Sequence, residues 1–123
     1  MTYNSICFVV PDNSCAYQSL SESFSAIEPP TWALLLAESC RSKGIKVSII
    51  DCLPLKLSPK QTASMILDLQ PDIVCYVVYG QNPNASSVNM HGVNQYSEEI
   101  FNTVSNTFSI AIGPHVASLP FQT

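Results

Sequence analysis

The sequence predicts an α/β domain with a mainly parallel sheet, and three observations carry that prediction. Four short apolar runs rich in Val and Ile recur along the chain, separated by stretches with helical periodicity. Each linker is long enough for a right-handed crossover. The third run, Ile73-Val-Cys-Tyr-Val-Val78, is apolar throughout, as a strand covered on both faces must be. At 123 residues the chain makes one domain, 1–123.

Ser5-Ile-Cys-Phe-Val-Val10 is the first strand, stopped by Pro11-Asp-Asn. The Ser-rich segment from Ser14 to Glu28 follows and reads equally as a packed flap or a lid. Pro29-Pro30 marks a helix entry, with Thr31 as N-cap and only half a capping box, because Leu34 stands at N3. From Trp32 to Lys43, Ala33, Leu36, Ala37 and Cys40 form one apolar stripe, widened by Trp32 and Leu35. Arg41 and Lys43 suit the negative end of the helix dipole, and Gly44 supplies a left-handed C′ residue.

Ile45–Ile50 is the second strand. Ser58 and Pro59 make an N-cap and N1 pair for a second helix, on which Thr62, Met65, Ile66 and Leu69 share a face. After the third strand, Tyr79 to Gly92 reads as a long polar loop, and Val93, Tyr96, Ile100, Phe101 and Val104 then repeat at helical spacing. Asn106-Thr107 breaks that repeat. Phe108–Ile112 is the fourth strand, closed by Gly113-Pro114-His115, and Val116 to Thr123 carry no clear element.

The order β-α-β-α-β-α-β predicts a Rossmann-like (flavodoxin-like) three-layer fold with strand order 2-1-3-4, lacking its last strand and helix within this chain. A bare strand edge invites aggregation, which argues that the chain is the N-terminal part of a longer polypeptide. In such sheets ligands bind outside the carboxyl ends of the strands, at the switch point between the first and third strands. The loops after Val10 and Tyr79 line that crevice, with the Gly113 turn beside them.

Composition removes several function classes. A hydrophobic fraction of 46% with 11% charged residues is that of a globular chain. A net charge of −4 with five Lys plus Arg argues against a nucleic-acid partner. No apolar run approaches the roughly 20 residues that span a bilayer, so no membrane partner and a cytoplasmic location are expected. The five cysteines are odd in number and lack Cys-x-x-Cys spacing, so free thiols are expected and a metal site is not. No Gly-x-Gly-x-x-Gly or Walker loop follows the first strand. A phosphoacceptor receiver needs an acidic pair there and a Lys beyond the fourth strand, but Asp12 stands alone and no Lys follows Lys60. No nucleophile–base pair or paired carboxylates fall on one loop edge, so the chain alone is expected to be non-catalytic.

Four segments carry a resemblance: Glu28-Pro-Pro-Thr-Trp-Ala-Leu-Leu-Leu-Ala37, Lys43-Gly-Ile-Lys-Val-Ser-Ile-Ile-Asp51, Gln70-Pro-Asp-Ile-Val74 and Ile112-Gly-Pro-His115. In this order and spacing they resemble the N-terminal cobalamin-binding domain of cobalamin-dependent radical SAM enzymes, as does the loop Gly80-Gln-Asn-Pro-Asn-Ala-Ser-Ser87. The resemblance implies cobalamin held across the carboxyl edge of the sheet. It points to Gly80, Gln81, Asn82, Ser86 and Ser87 on one loop and to Gly113, Pro114 and His115 on the other. On this reading the two glycines leave room for the cofactor's aromatic base, and the polar side chains bond its amides and phosphate.

Family members carry two glycines where this chain has Ile112-Gly113, so Ile112 narrows the expected tail pocket. The Asp-x-His-x-x-Gly motif that gives cobalt a histidine in other cobalamin proteins is absent. The resemblance therefore implies base-off cobalamin with no histidine from this domain. The Cys-x-x-x-Cys-x-x-Cys motif is also absent, which assigns the iron–sulfur cluster, S-adenosylmethionine and methyltransferase or related radical chemistry to a C-terminal radical SAM domain in cis. The alternative is a flavodoxin-like small-molecule-binding or regulatory domain without corrin.

Overall fold

The computed structural model describes residues 2–14, 28–79 and 83–121. The expected flap or lid falls largely on 15–27, and it lies outside the described residues with Gly80, Gln81 and Asn82. Four parallel strands, β1 (Ser5–Val10), β2 (Lys46–Asp51), β3 (Ile73–Val77) and β4 (Phe108–Ile112), form one sheet in the order β2-β1-β3-β4. Helices α1 (Thr31–Arg41), α2 (Pro59–Leu69) and α3 (Pro83–Thr103) connect them, and a short α4 (Pro114–Ser118) follows β4. The molecule is the Rossmann-like, flavodoxin-like three-layer α/β fold that the element order predicts.

Strand alternation sorts the side chains into two cores. Cys7, Val9, Val74, Tyr76 and Val78 face α2 and α3, where Ala63, Ile66, Val93, Tyr96 and Ile100 cover them. Ile6, Phe8, Cys75 and Val77 face the opposite way and pack with Ala33, Leu36, Ala37 and Cys40 of α1. The α1 stripe is the expected one. Its widening residues are not core, however, since Trp32 and Leu35 lie on the exposed side.

Helix α2 starts at a complete capping box. The Ser58 hydroxyl accepts from Gln61 N–H at 3.2 Å, and the Gln61 side chain accepts from Ser58 N–H at 2.9 Å. The buried face is Thr62, Ala63 and Ile66, whereas Met65 and Leu69 are exposed. Helix α1 differs from expectation at its start. Pro30 occupies the N-cap, Thr31 is already helical, and its hydroxyl turns back to the Pro29 carbonyl. Proline has no N–H to lose and no side-chain acceptor, so the entry is set by its fixed φ and not by a side-chain cap.

The largest correction concerns the expected loop over 79–92. Helix α3 begins at Pro83, ten residues before Val93. Asn and Ser lower helix propensity by only about 0.5 kcal/mol per residue, and packing overrides that. Asn89 continues the buried stripe of Val93, Tyr96 and Ile100 one turn toward the N-terminus, and is 7% exposed. Phe101, at 80% exposure, is outside that stripe. Pro114 and His115, expected in the turn that closes β4, and Val116 to Ser118, expected to carry no element, make α4, because Pro114 at N1 is preset for a helical turn.

Candidate functional site

The 2-1-3-4 order makes the chain leave β1 toward one side of the sheet and β3 toward the other, so a crevice opens between their carboxyl ends. Three described segments border it: Pro11–Ser14, Tyr79 with the first turns of α3, and Gly113 with α4. Ser14 N–H donates to Asp12 Oδ1 at 2.9 Å, which turns the chain directly after β1.

The two segments singled out from the sequence do converge. Ser87 Oγ lies 2.7 Å from His115 Nδ1, joining α3 to α4. Pro114 opens α4. Ser86 lies in the first turns of α3, and its side chain is outside the described residues, as are Gly80, Gln81 and Asn82.

Gly113 has a different role from the one expected of it. Its φ is +146°, a conformation that L side chains rarely adopt, and an added Cβ would stand 1.9 Å from the Val78 carbonyl oxygen. The Val78 N–H in turn donates to Ile112 O at 2.8 Å. The space beside Gly113 is thus filled by the end of β3 itself, which leaves no room there for an aromatic base.

Several contributors escaped the sequence reading. The Trp32 and Tyr79 rings stack with centroids 4.5 Å apart and planes 18° off parallel. Both stay half exposed, at 48% and 41%, so the pair forms an aromatic shelf joining the start of α1 to the end of β3. Asn89 Nδ2 donates to Tyr79 O at 3.0 Å and steadies that shelf from α3. The buried Oδ1 atoms of Asn89 and Asn13 have no hydrogen-bond partner. Asn13 lies against Gly92, where an added Cβ would fall 2.0 Å from its Oδ1. The spacing of Asn89 to Val93, Tyr96 and Ile100 is the signal that could have drawn it out.

His91 lies inside α3, with its ring 3.4 Å from the Gln95 amide nitrogen. Asp51 ends β2, and partial burial raises its carboxyl pKa, against a weaker opposing pull from the Leu53 N–H. Among the described residues no three His, Cys, Asp or Glu side chains gather as a metal site. Cys7, Cys40, Cys52 and Cys75 are free thiols. No described helix is long and apolar enough to cross a membrane. No protein-family model matches the chain, and neither a curated protein nor a solved structure matches it significantly.

Proposed function

We propose that the chain is a ligand-binding module whose site is the carboxyl edge of its sheet and whose ligand is cobalamin. In this reading it serves a radical SAM enzyme, and a further domain of the same polypeptide holds the iron–sulfur cluster and S-adenosylmethionine. The observation that carries the reading is the meeting of Ser87 and His115. These residues are 28 apart in sequence and come from the two segments that the resemblance points to.

Their hydroxyl and imidazole form a polar rim suited to the carboxamides and phosphate at the periphery of cobalamin. The rim fits that group; the flank of Gly113 does not fit its base, because the Val78 carbonyl fills it. Ser87 and His115 are therefore the residues assigned to hold the cofactor's edge, and no histidine of this chain is assigned to cobalt. Bound cobalamin would supply a cobalt centre able to carry a methyl group or electrons. The module itself binds and orients. The free buried thiols suit a reducing compartment, so the location proposed is the cytoplasm.

The test is hydroxocobalamin added to the purified chain, followed by desalting and a visible spectrum. Retained corrin is expected, with Ser87→Ala and His115→Ala each weakening binding about fivefold through loss of one hydrogen bond. Corrin lost completely from the unmodified chain at micromolar protein would sink the proposal.

A second reading, a flavodoxin-like small-molecule-binding or regulatory domain without corrin, draws on two observations. The filled space at Gly113 removes a seat for the base, and the Trp32–Tyr79 shelf suits a single flat ring. A flavin or nucleotide that co-purifies and quenches the fluorescence of Trp32, the only tryptophan, would select it.

A further inference from the structure

A second cavity lies between α3 and the face of the sheet, and its origin is legible in the strand pattern. On β4 the residues facing α3 are Ser109 and Ala111, both small, whereas their register partners on β3 are Val74 and Tyr76. Helix α3 packs along α2, so small side chains on β4 leave a gap beneath its other flank. The gap measures about 190 Å³ and runs between α3, at Met90, Val93, Asn94 and Ser97, and the sheet at Tyr76, Ser109 and Ala111. The α3 positions are spaced three and four apart and so form one face of the helix.

One group in the wall has an unmet need. Tyr76 is 2% exposed and its hydroxyl has no hydrogen-bond partner. Ser109, diagonal to it across the paired strands, lies near enough to pull the phenol's pKa down against the rise that burial causes, yet the two hydroxyls do not meet in hydrogen-bonding geometry. A buried hydroxyl left unpaired is costly, and an acceptor in the gap would relieve it. None of the lining residues carries a charge, while Met90 and Val93 give the gap apolar walls.

We infer that this gap is a binding site for a small uncharged molecule of one or two rings that presents a hydrogen-bond acceptor to Tyr76. The absence of a cation in the lining argues against phosphates and carboxylates, whose charge would go unpaired there. The volume suits one or two rings and is far too small for a corrin. The site is independent of the ligand at the carboxyl edge, and its test does not involve cobalamin.

The experiment titrates acetophenone, an uncharged ring with a carbonyl acceptor, into the isotope-labelled chain while amide resonances are followed. Saturable shifts are expected at Val93, Ser97, Ser109 and Ala111, and toluene, which has no acceptor, should bind about fivefold more weakly. Tyr76→Phe should reduce acetophenone binding to the toluene level. Ala111→Leu, on the partly exposed edge strand, should fill the gap and abolish binding. Absence of saturable shifts at millimolar acetophenone, equal binding of toluene, or binding that survives Ala111→Leu overturns the inference. The comparison of the two probes on the unmodified chain needs no variant to fold.

Discussion

Gly113 and Gly92 each approach a neighbour too closely for a side chain, yet they should respond to substitution very differently. At Gly113 the obstacle is the backbone carbonyl of Val78, which cannot move without breaking the β3–β4 pairing, and φ is already in a region L residues avoid. Gly113→Ala should cost about 2–3 kcal/mol in urea unfolding. At Gly92 the obstacle is the far end of the Asn13 side chain, which can rotate away, and the helix gains about 1 kcal/mol from alanine. Gly92→Ala should therefore fall within about 1 kcal/mol of the unmodified chain. Equal losses at both positions would contradict the contrast. Asp72 supplies the residue-scale pH prediction. The backbone N–H groups of Asn4 and Ser5 donate to its Oδ2 at 2.7 and 3.0 Å and hold its carboxyl below the usual carboxylate range. A folded-state pKa below the unfolded one adds stability above the unfolded pKa, and that stability is lost as pH falls through the folded value. Asp51 acts with the opposite sign, because burial raises its pKa and acidification relieves the cost of its charge. The Asp72 contribution is isolated by comparing Asp72→Asn with the unmodified chain. The variant should be less stable at neutral pH, and the gap between their urea midpoints should close in acid. A gap independent of pH would contradict it.

Among the elements, α2 is specified most completely by its own residues. Ser58, Pro59 and Gln61 set its start, and Thr62, Ala63 and Ile66 set its buried face. Ser58→Ala removes the hydroxyl that accepts from Gln61 N–H, while the Ser58 backbone N–H can still donate to the Gln61 side chain, and should cost about 1 kcal/mol, with a lower thermal midpoint and an unchanged circular-dichroism spectrum at low temperature. All four strands were legible within a residue, because their apolar runs are short and bounded by Pro, Gly or Asn. The first turns of α3 were not. Asn84, Ser86, Ser87 and Asn89 have loop-like composition, yet all four fall within α3. Asn89 is buried where the helical stripe calls for an apolar residue, so a hydrophobic pattern could not count it. The same blindness hid the start of α1. Thr31 is a good cap residue in isolation, but Pro30 takes the cap, and Thr31 turns its hydroxyl toward Pro29.

At the scale of the molecule, the order 2-1-3-4 was legible from β-α-β repetition alone, and it locates the crevice. Among the described residues of the crevice, Ser87 and His115 were foreseen and lie together, but their hydrogen bond was not legible, because contact between residues 28 apart depends on how α3 and α4 dock. The Trp32–Tyr79 shelf was hidden for the same reason. The sheet's cohesion can be tested through its thiols. Cys7 on β1 belongs to the core under α2 and α3, and Cys75 on β3 belongs to the core under α1. The two strands are paired, with Cys7 opposite Val74 and Phe8 opposite Cys75, and each thiol is covered by the helices packed on its own face of the sheet. Burial raises the pKa of the Cys7 thiol and pushes that of Cys75 up to about 12, which further suppresses the reactive thiolate in the folded chain. Alkylation by iodoacetamide at neutral pH should therefore proceed only through opening. If β1 and β3 separate in one cooperative event, Cys7 and Cys75 will label at the same rate and rise together with urea. Peptide-level mass spectrometry reads both sites in one sample. A Cys75 rate well above that of Cys7 would show instead that α1 lifts from its face of the sheet while the α2–α3 face stays closed.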